Sequence, residues 1–312
     1  MNVIRLNTTS QDRIIVKKSE GGGGGSTNTK WTGHADAEGL KAIGWTDEDI
    51  QYYQENGVNW NAEDDEYHKV SEDNKALYGV LTADNIQDYK ERIVYLPKID
   101  TSGRTDFTSF LADCYKLVAI PMLDTSNAIS TEGMFYYCSS LVCIPLIDVN
   151  NVIHASGMFA NCYTLSNIPP ITFKRVRTSV EMFQSCHSLI ELDATQHGLP
   201  GYDAYDYMYF DCISLQKLKM SLLGMNTSSN GIFSGCFSLK DLYIDGPRSS
   251  VNDLYSSSVL SKDSLIRLIK AYGKIGSSVT IWLNDITYNR LADDEDVIAS
   301  LEEFNTVSIA LD

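Results

Sequence analysis

The stretch MFYYCSSLVCIP at residues 134–145 returns as MFANCYTLSNIP at residues 158–169, one 24-residue step later. Six of the seven cysteines keep that step. Cys114, Cys138, Cys162, Cys186, Cys212 and Cys236 stand 24, 24, 24, 26 and 24 residues apart, and Cys143 alone lies off the ladder. Each ladder cysteine is followed three residues on by a leucine (Leu117, Leu141, Leu165, Leu189, Leu215, Leu239) and three further by Ile120, Ile144, Ile168, Leu192, Leu218 or Leu242. Phe135, Phe159, Phe183, Tyr209 and Phe233 precede the cysteine by three, with Leu111 in that place in the first unit. Before them stand Met134, Met158, Met182 and Met208, replaced by Phe110 and Ile232 in the outer units. Pro121, Pro145 and Pro169, and Asp100, Asp124 and Asp148, share the register, and Leu96 with Pro97 extends it upstream. A period of this length signals a solenoid or array. One unit buries too little to fold alone: burial is worth about 1.5–3 kcal/mol at each of a few apolar positions, against about 1–2 kcal/mol of backbone entropy at every residue. Units must therefore bury their ladders against one another, and the ends need caps.

The pattern Met-Phe-x-x-Cys-x-x-Leu-x-x-Ile-Pro resembles the BspA-like leucine-rich repeats of bacterial surface and phage proteins, over about residues 96–244. The resemblance implies an α/β fold: a right-handed leucine-rich-repeat solenoid of about six 24-residue coils. Each coil would carry a short parallel strand near Leu-x-x-Ile and a turn or short helix near Met-Phe-x-x-Cys. The fourth unit departs from the pattern, lacking Pro after Leu192 and gaining two residues, and the fifth and sixth lack Pro as well.

The cysteine column reads as buried, reduced thiols. Equivalent residues in stacked coils sit about 4.7–4.9 Å apart with parallel side chains, whereas a disulfide brings its two Cβ atoms to about 3.8 Å and turns them together. Zinc asks for close tetrahedral clusters, which a 24-residue step does not supply. Neither a metal nor another cofactor is expected.

Around the repeats at 93–254 the chain divides further. Residues 1–30 form a tail in which 3–6 and 14–16 read as short strands, followed by the flexible Gly21–Gly25 linker. Residues 31–92 read as a small, mostly helical cap over the edge of the first coil. Its helices are expected at 36–43, from an N-cap at Thr46 to about Asn56, and at 83–92. Between them lies the acidic run Glu63 to Glu66, more simply a solvated face than a cation site. Residues 255–312 read as a βα cap that extends the same parallel sheet: a helix from Ser261 to Gly273, a strand over 279–283, a helix over 293–304 and a last strand at 307–311. Similar C-terminal blocks accompany BspA-like repeats in phage-type proteins.

The chain has 312 residues, 43% of them apolar, and a net charge of −16. Its acidity and lack of a basic run argue against nucleic acid and anionic membrane surfaces as partners, and nothing is apolar for long enough to span a bilayer. The first ten residues predict no secretory signal. No phosphate-cradling glycine loop or Gly-x-Ser-x-Gly elbow occurs. His187 beside Cys186 invites a Cys-His reading, but Cys186 belongs to the core column.

What remains is binding by a non-enzymatic protein. The leading site is the two-residue expansion between Leu192 and Cys212, where His197, Tyr202, Asp203, Tyr205, Asp206 and Tyr207 cluster. Insertions in repeats emerge as loops, and tyrosines suit sugar or protein surfaces. The simpler alternative is that the rings pack over a wider coil. A second site is the sheet surface at Asn167, Glu191, Lys217 and Asp241, between ladder residues. Tyr115, Tyr136, Tyr137, Tyr163 and Phe237, beside the core columns, rank lower. The resemblance and the tail suggest a phage virion appendage or tail-fibre component made in the bacterial cytoplasm. Its tail would dock into a virion or surface assembly, its repeats would read a protein or glycan surface ligand, and a homo-oligomer would suit a fibre. The alternatives are a bacterial cell-surface adhesin binding host protein or glycan, and a glycan-active enzyme using Asp203 or Asp206.

Overall fold

A computed structural model describes residues 2–7, 13–18, 29–30, 37–42, 44–55, 83–84, 86–91, 93, 95–96, 98–194, 205–221, 231–245, 253–257, 259–274 and 278–311. The tail forms its own antiparallel sheet of β1 (Asn2–Asn7), β2 (Arg13–Lys18) and β3 (Thr29–Lys30), in that order. The helices α1 (Ala37–Ala42) and α2 (Asp47–Glu55) follow. At the start of α2 the Thr46 amide donates to Asp49 Oδ2 while the Asp49 amide donates to Thr46 Oγ1, a reciprocal N-terminal cap. The helix expected over 83–92 is a single 3-10 turn, Ile86–Tyr89.

The six cysteine-centred units, numbered 1 to 6 from Cys114 to Cys236, stack in register. Alternate amides of each turn reach the next unit: Leu111 N donates to Met134 O, Phe135 N to Met158 O, Phe159 N to Met182 O, Phe183 N to Met208 O and Tyr209 N to Ile232 O. The amides between them close local turns, as Cys138 N does on Phe135 O. This alternation puts two left-handed residues in each turn. One column is Ser109, Gly133, Gly157, Glu181, Tyr207 and Gly231; the other is Asp113, Tyr137, Asn161, Ser185, Asp211 and Gly235. Only glycine fits at Gly235, where a Cβ would stand 2.9 Å from the Asp211 Cα. Inside, the aromatic column forms one stack, with ring centroids 5.5 Å apart at Phe135–Phe159 and Phe159–Phe183, 5.6 Å at Phe183–Tyr209 and 6.2 Å at Tyr209–Phe233.

All seven cysteines are buried and unpaired. The column does more than fill space, because from the second unit on each column thiol donates to the carbonyl three residues before the cysteine of the preceding unit: Cys138 to Leu111, Cys162 to Phe135, Cys186 to Phe159, Cys212 to Phe183 and Cys236 to Tyr209, at 3.0–3.3 Å. A small apolar side chain with a weak donor fits that place, which explains cysteine rather than alanine or valine. Burial pushes the thiols up, those of Cys114 and Cys236 to about 12.

After the last unit come α3 (Lys262–Gly273), β7 (Val279–Leu283), α4 (Asp285–Leu291), α5 (Glu295–Glu303) and β8 (Val307–Leu311). Ser261 caps α3, and its Leu265, Leu268, Ile269 and Tyr272 are buried. Here the sequence expectation needs correcting. β7 and β8 pair in parallel as a separate two-stranded sheet and do not extend the sheet of the repeats, and α4 adds an unforeseen helix. The core is nonetheless continuous from Ile86 to Val307.

Candidate functional site

The strand positions of the units present one outward column at 24-residue spacing: Tyr95, Ala119, Cys143, Asn167 and Glu191, followed by Lys217 and Asp241. Isolated parallel bridges join Tyr95 to Ala119 and Cys143 to Asn167, and the ladder of β4 (Glu191–Asp193), β5 (Lys217–Ser221) and β6 (Asp241–Asp245) joins Glu191 to Lys217 to Asp241. The chemistry of the column changes midway. Tyr95, Ala119 and Cys143 are buried in a second hydrophobic cluster with Leu40, Trp45, Ile50 and Tyr53 of the helical block. Asn167, Glu191 and Lys217 are exposed and Asp241 is partly so.

The block at 31–92 therefore does two jobs, and covering the first unit's edge is only one of them. That edge is taken by the 3-10 turn, where Gln87 Nε2 donates to the carbonyls of Ser109, Phe110 and Ala112, and Lys90 pairs with Asp113 at 2.9 Å. α1 and α2 instead lie over the sheet face. Trp45 Nε1 donates to Leu96 O, Tyr52 Oη to Ile144 O and Tyr53 Oη to Ile120 O, while Ile120 N donates back to Tyr53 Oη. These contacts explain Cys143, the thiol off the ladder: it belongs to the outward column and is sealed beneath α2. Burial pushes the Tyr52 hydroxyl up to about 12, with the Cys143 thiol's charge a second cause.

Beyond the cover the face is open and charged. Lys217 reaches Glu191 at 2.7 Å and Lys219 reaches Asp193 at 3.3 Å. The hydrogen bond that Lys217 donates to Glu191, together with the charge of that carboxylate, holds the Lys217 ammonium above its usual range. Tyr243 stands 43% exposed on the strand after Lys219, and Arg267 of α3 borders the same shallow depression of about 320 Å³. Such exposed ion pairs add little to stability. Their chemical content is a flat field of alternating charge with an aromatic ring at one side.

The other expected site is only partly visible. His197, Tyr202 and Asp203 lie outside the described residues. Tyr205 is 3% exposed and belongs to the core, so it does not offer its face to a ligand. Asp206 is half-buried and its carbonyl accepts from the Glu181 amide. Tyr207 is 41% exposed, but its ring lies against Gly231, where an added Cβ would meet it at 2.5 Å, and packs edge-on against Phe210 at 5.7 Å. Both described tyrosines of the expansion thus have packing roles. Of the residues ranked lower, Tyr136, Tyr137 and Tyr163 form a chain of ring contacts that ends on His187, stacked 4.8 Å from Tyr163. His187 Nε2 lies 3.0 Å from Asp211, while the thiol of Cys186 faces the core and its pKa is raised well above the ordinary value, chiefly by burial. The two side chains do not form a nucleophile and base. Sequence reasoning missed Asp193, Lys219, Tyr243 and Arg267; the first three stand two residues beyond Glu191, Lys217 and Asp241, a period-two signal open to reading.

Among the described residues no group of three or more His, Cys, Asp or Glu could hold a metal ion, and no helix is long and apolar enough to cross a membrane. No protein-family model, curated protein or solved structure matches the chain.

Proposed function

We propose that the chain is a non-enzymatic recognition scaffold, a leucine-rich-repeat solenoid of BspA-like type that serves in a phage virion appendage and reads a protein or glycan ligand on a bacterial surface. One observation carries the reading: the outward sheet column is apolar and sealed as far as Cys143, then polar and open from Asn167 to Asp241. A face kept flat by parallel pairing, with Glu191, Lys217, Asp241 and Tyr243 on display, supports recognition of an extended surface. The tail's separate sheet β1–β3 supports docking of the other end into an assembly.

The test is an array of bacterial surface glycans and envelope proteins probed with the full chain and with a Lys217→Ala, Asp241→Ala, Tyr243→Ala variant. Loss of about tenfold or more in affinity, as removal of a hot-spot cluster gives, supports the reading; equal binding by both proteins removes the face from it. Antibody labelling of purified phage particles addresses location, and signal confined to the bacterial envelope would favour the adhesin instead.

A further inference from the structure

A second surface lies on the segment that follows the strand positions in the first units, and the reading above does not use it. There Ile99, Leu123, Ile147 and Ile171 are buried, while residues between them face out in rows. One row holds Met122, 45% exposed, and Leu146, 57% exposed; the next holds Asp100, Asp124 and Asp148. Together they line a groove of about 990 Å³ that runs across units 1 to 3 and the segment before them, with Lys98 and Lys174 at its ends. The groove adjoins the helical block through Asp49, whose Oδ1 accepts the Met122 amide.

The carboxylates are held in place by short local turns. Asp100 Oδ1 accepts from the amide and hydroxyl of Ser102, Asp124 Oδ1 from those of Ser126, and Asp148 Oδ1 from the Asn150 amide. These donors hold Asp100 and Asp124 below the usual carboxylate range. Oδ2 of each accepts no hydrogen bond from the described residues. Parallel to these charges run two large apolar side chains that stay in water, an arrangement folding alone does not reward. Lysine and arginine match both rows at once, since an aliphatic stem covers apolar surface while its cation stays at the rim. The groove is long and open, so its occupant is elongated. The lysines at its ends confine the cationic preference to the middle.

We propose that this groove docks an extended basic peptide segment of a partner protein, with aliphatic stems over Met122 and Leu146 and cations against Asp100, Asp124 and Asp148. The probe is a fluorescein-labelled Gly-Lys-Leu-Lys-Leu-Lys-Gly peptide titrated with the full chain and followed by anisotropy. Saturable, salt-weakened binding is expected. The Asp100→Asn, Asp124→Asn, Asp148→Asn variant keeps an oxygen to accept each turn hydrogen bond, and should bind about tenfold more weakly, as the loss of three exposed ion pairs implies. Leu146→Ser should weaken binding severalfold. A charge-matched variant, Glu132→Gln, Glu295→Gln, Glu302→Gln, should bind as the parent does. No binding by the parent, or equal losses in both triple variants, would overturn the proposal. Competition by spermine as strong as that of unlabelled peptide would also overturn it, because the apolar row would then play no part. Open-face variants such as Lys217→Ala leave this assay unchanged, so its failure is distinct from failure of the recognition reading.

Discussion

Units 1 to 3 and units 4 to 6 repeat the same columns yet close their strand positions in different ways. In the first half Pro121, Pro145 and Pro169 remove an amide just after the strand position, so only isolated bridges form, and the carbonyls of Leu96, Ile120 and Ile144 are met by Trp45, Tyr53 and Tyr52. In the second half Asp193, Lys219 and Tyr243 take the prolines' place, their amides are available, and β4, β5 and β6 pair with one another. Proline cannot donate to a ladder. The cover ends one unit before the prolines do: Asn167 of unit 3 is exposed although Pro169 follows it. The helical block thus covers only proline-bearing strand positions, and the paired strands β4, β5 and β6 stand open without it.

The comparison can be broken from several directions. The largest effect should come from alkali, which strikes both halves through the thiols. The folded values of Cys114, Cys143 and Cys236 are raised to about 12 by burial, so the folded state keeps protons that the unfolded chain releases above about pH 8.5. Stability is therefore full below that pH and falls as pH climbs towards the folded values, by about 1.4 kcal/mol per thiol per pH unit. Urea midpoints followed by circular dichroism from pH 7 to 10.5 should drop steeply above pH 9, and a flat profile would mean the thiols are not buried as described. Next, Lys219→Pro imposes the first half's rule on the centre of β5 and should cost about 3 kcal/mol or more in thermal or urea unfolding. A change under about 0.5 kcal/mol would mean the ladder is not what holds the second half. Tyr53→Phe attacks the sealed half: it strips the partner from the Ile120 amide and should cost about 1–3 kcal/mol, with faster exchange of the Ile120 amide. The smallest effect is a gain. The buried Tyr209 hydroxyl has no hydrogen-bond partner among the described residues, and Phe stands in that column at Phe135, Phe159, Phe183 and Phe233. Tyr209→Phe should raise stability by about 1 kcal/mol, and a loss of that size would show the hydroxyl to be satisfied.

Much of the stack was legible in the sequence because its columns are fixed by burial at a constant step. Cys114 to Cys236, the aromatic column and the leucine column all lie where the period puts them, and Ser261, Gly273 and the alternation over 279–283 mark α3 and β7 through capping and pattern. The left-handed columns were signalled by Gly133, Gly157, Gly231 and Gly235, but Glu181 and Tyr207 share those positions and blur the signal. The placement of α2 could not be read, since nothing local to residues 47–55 says which apolar face it covers. Its partners, Ala119 and Cys143, are small and scattered in sequence. The site followed the same logic: Glu191, Lys217 and Asp241 were legible from the alternation of strand residues, whereas Arg267 enters from α3 and depends on tertiary packing. The exposure of Met122 and Leu146 was likewise hidden, because two apolar residues beside a repeat read as core.

The central claim is that one outward column is sealed at Cys143 and open at Asn167, one unit on. Because all seven native thiols are buried, thiol titration with Ellman's reagent in the native state tests it without background. The parent should release no chromophore until urea is added, and Asn167→Cys should react with one thiol at a rate near that of an exposed cysteine. A reactive thiol in the native parent, or a protected one at position 167, would contradict the division on which the account rests.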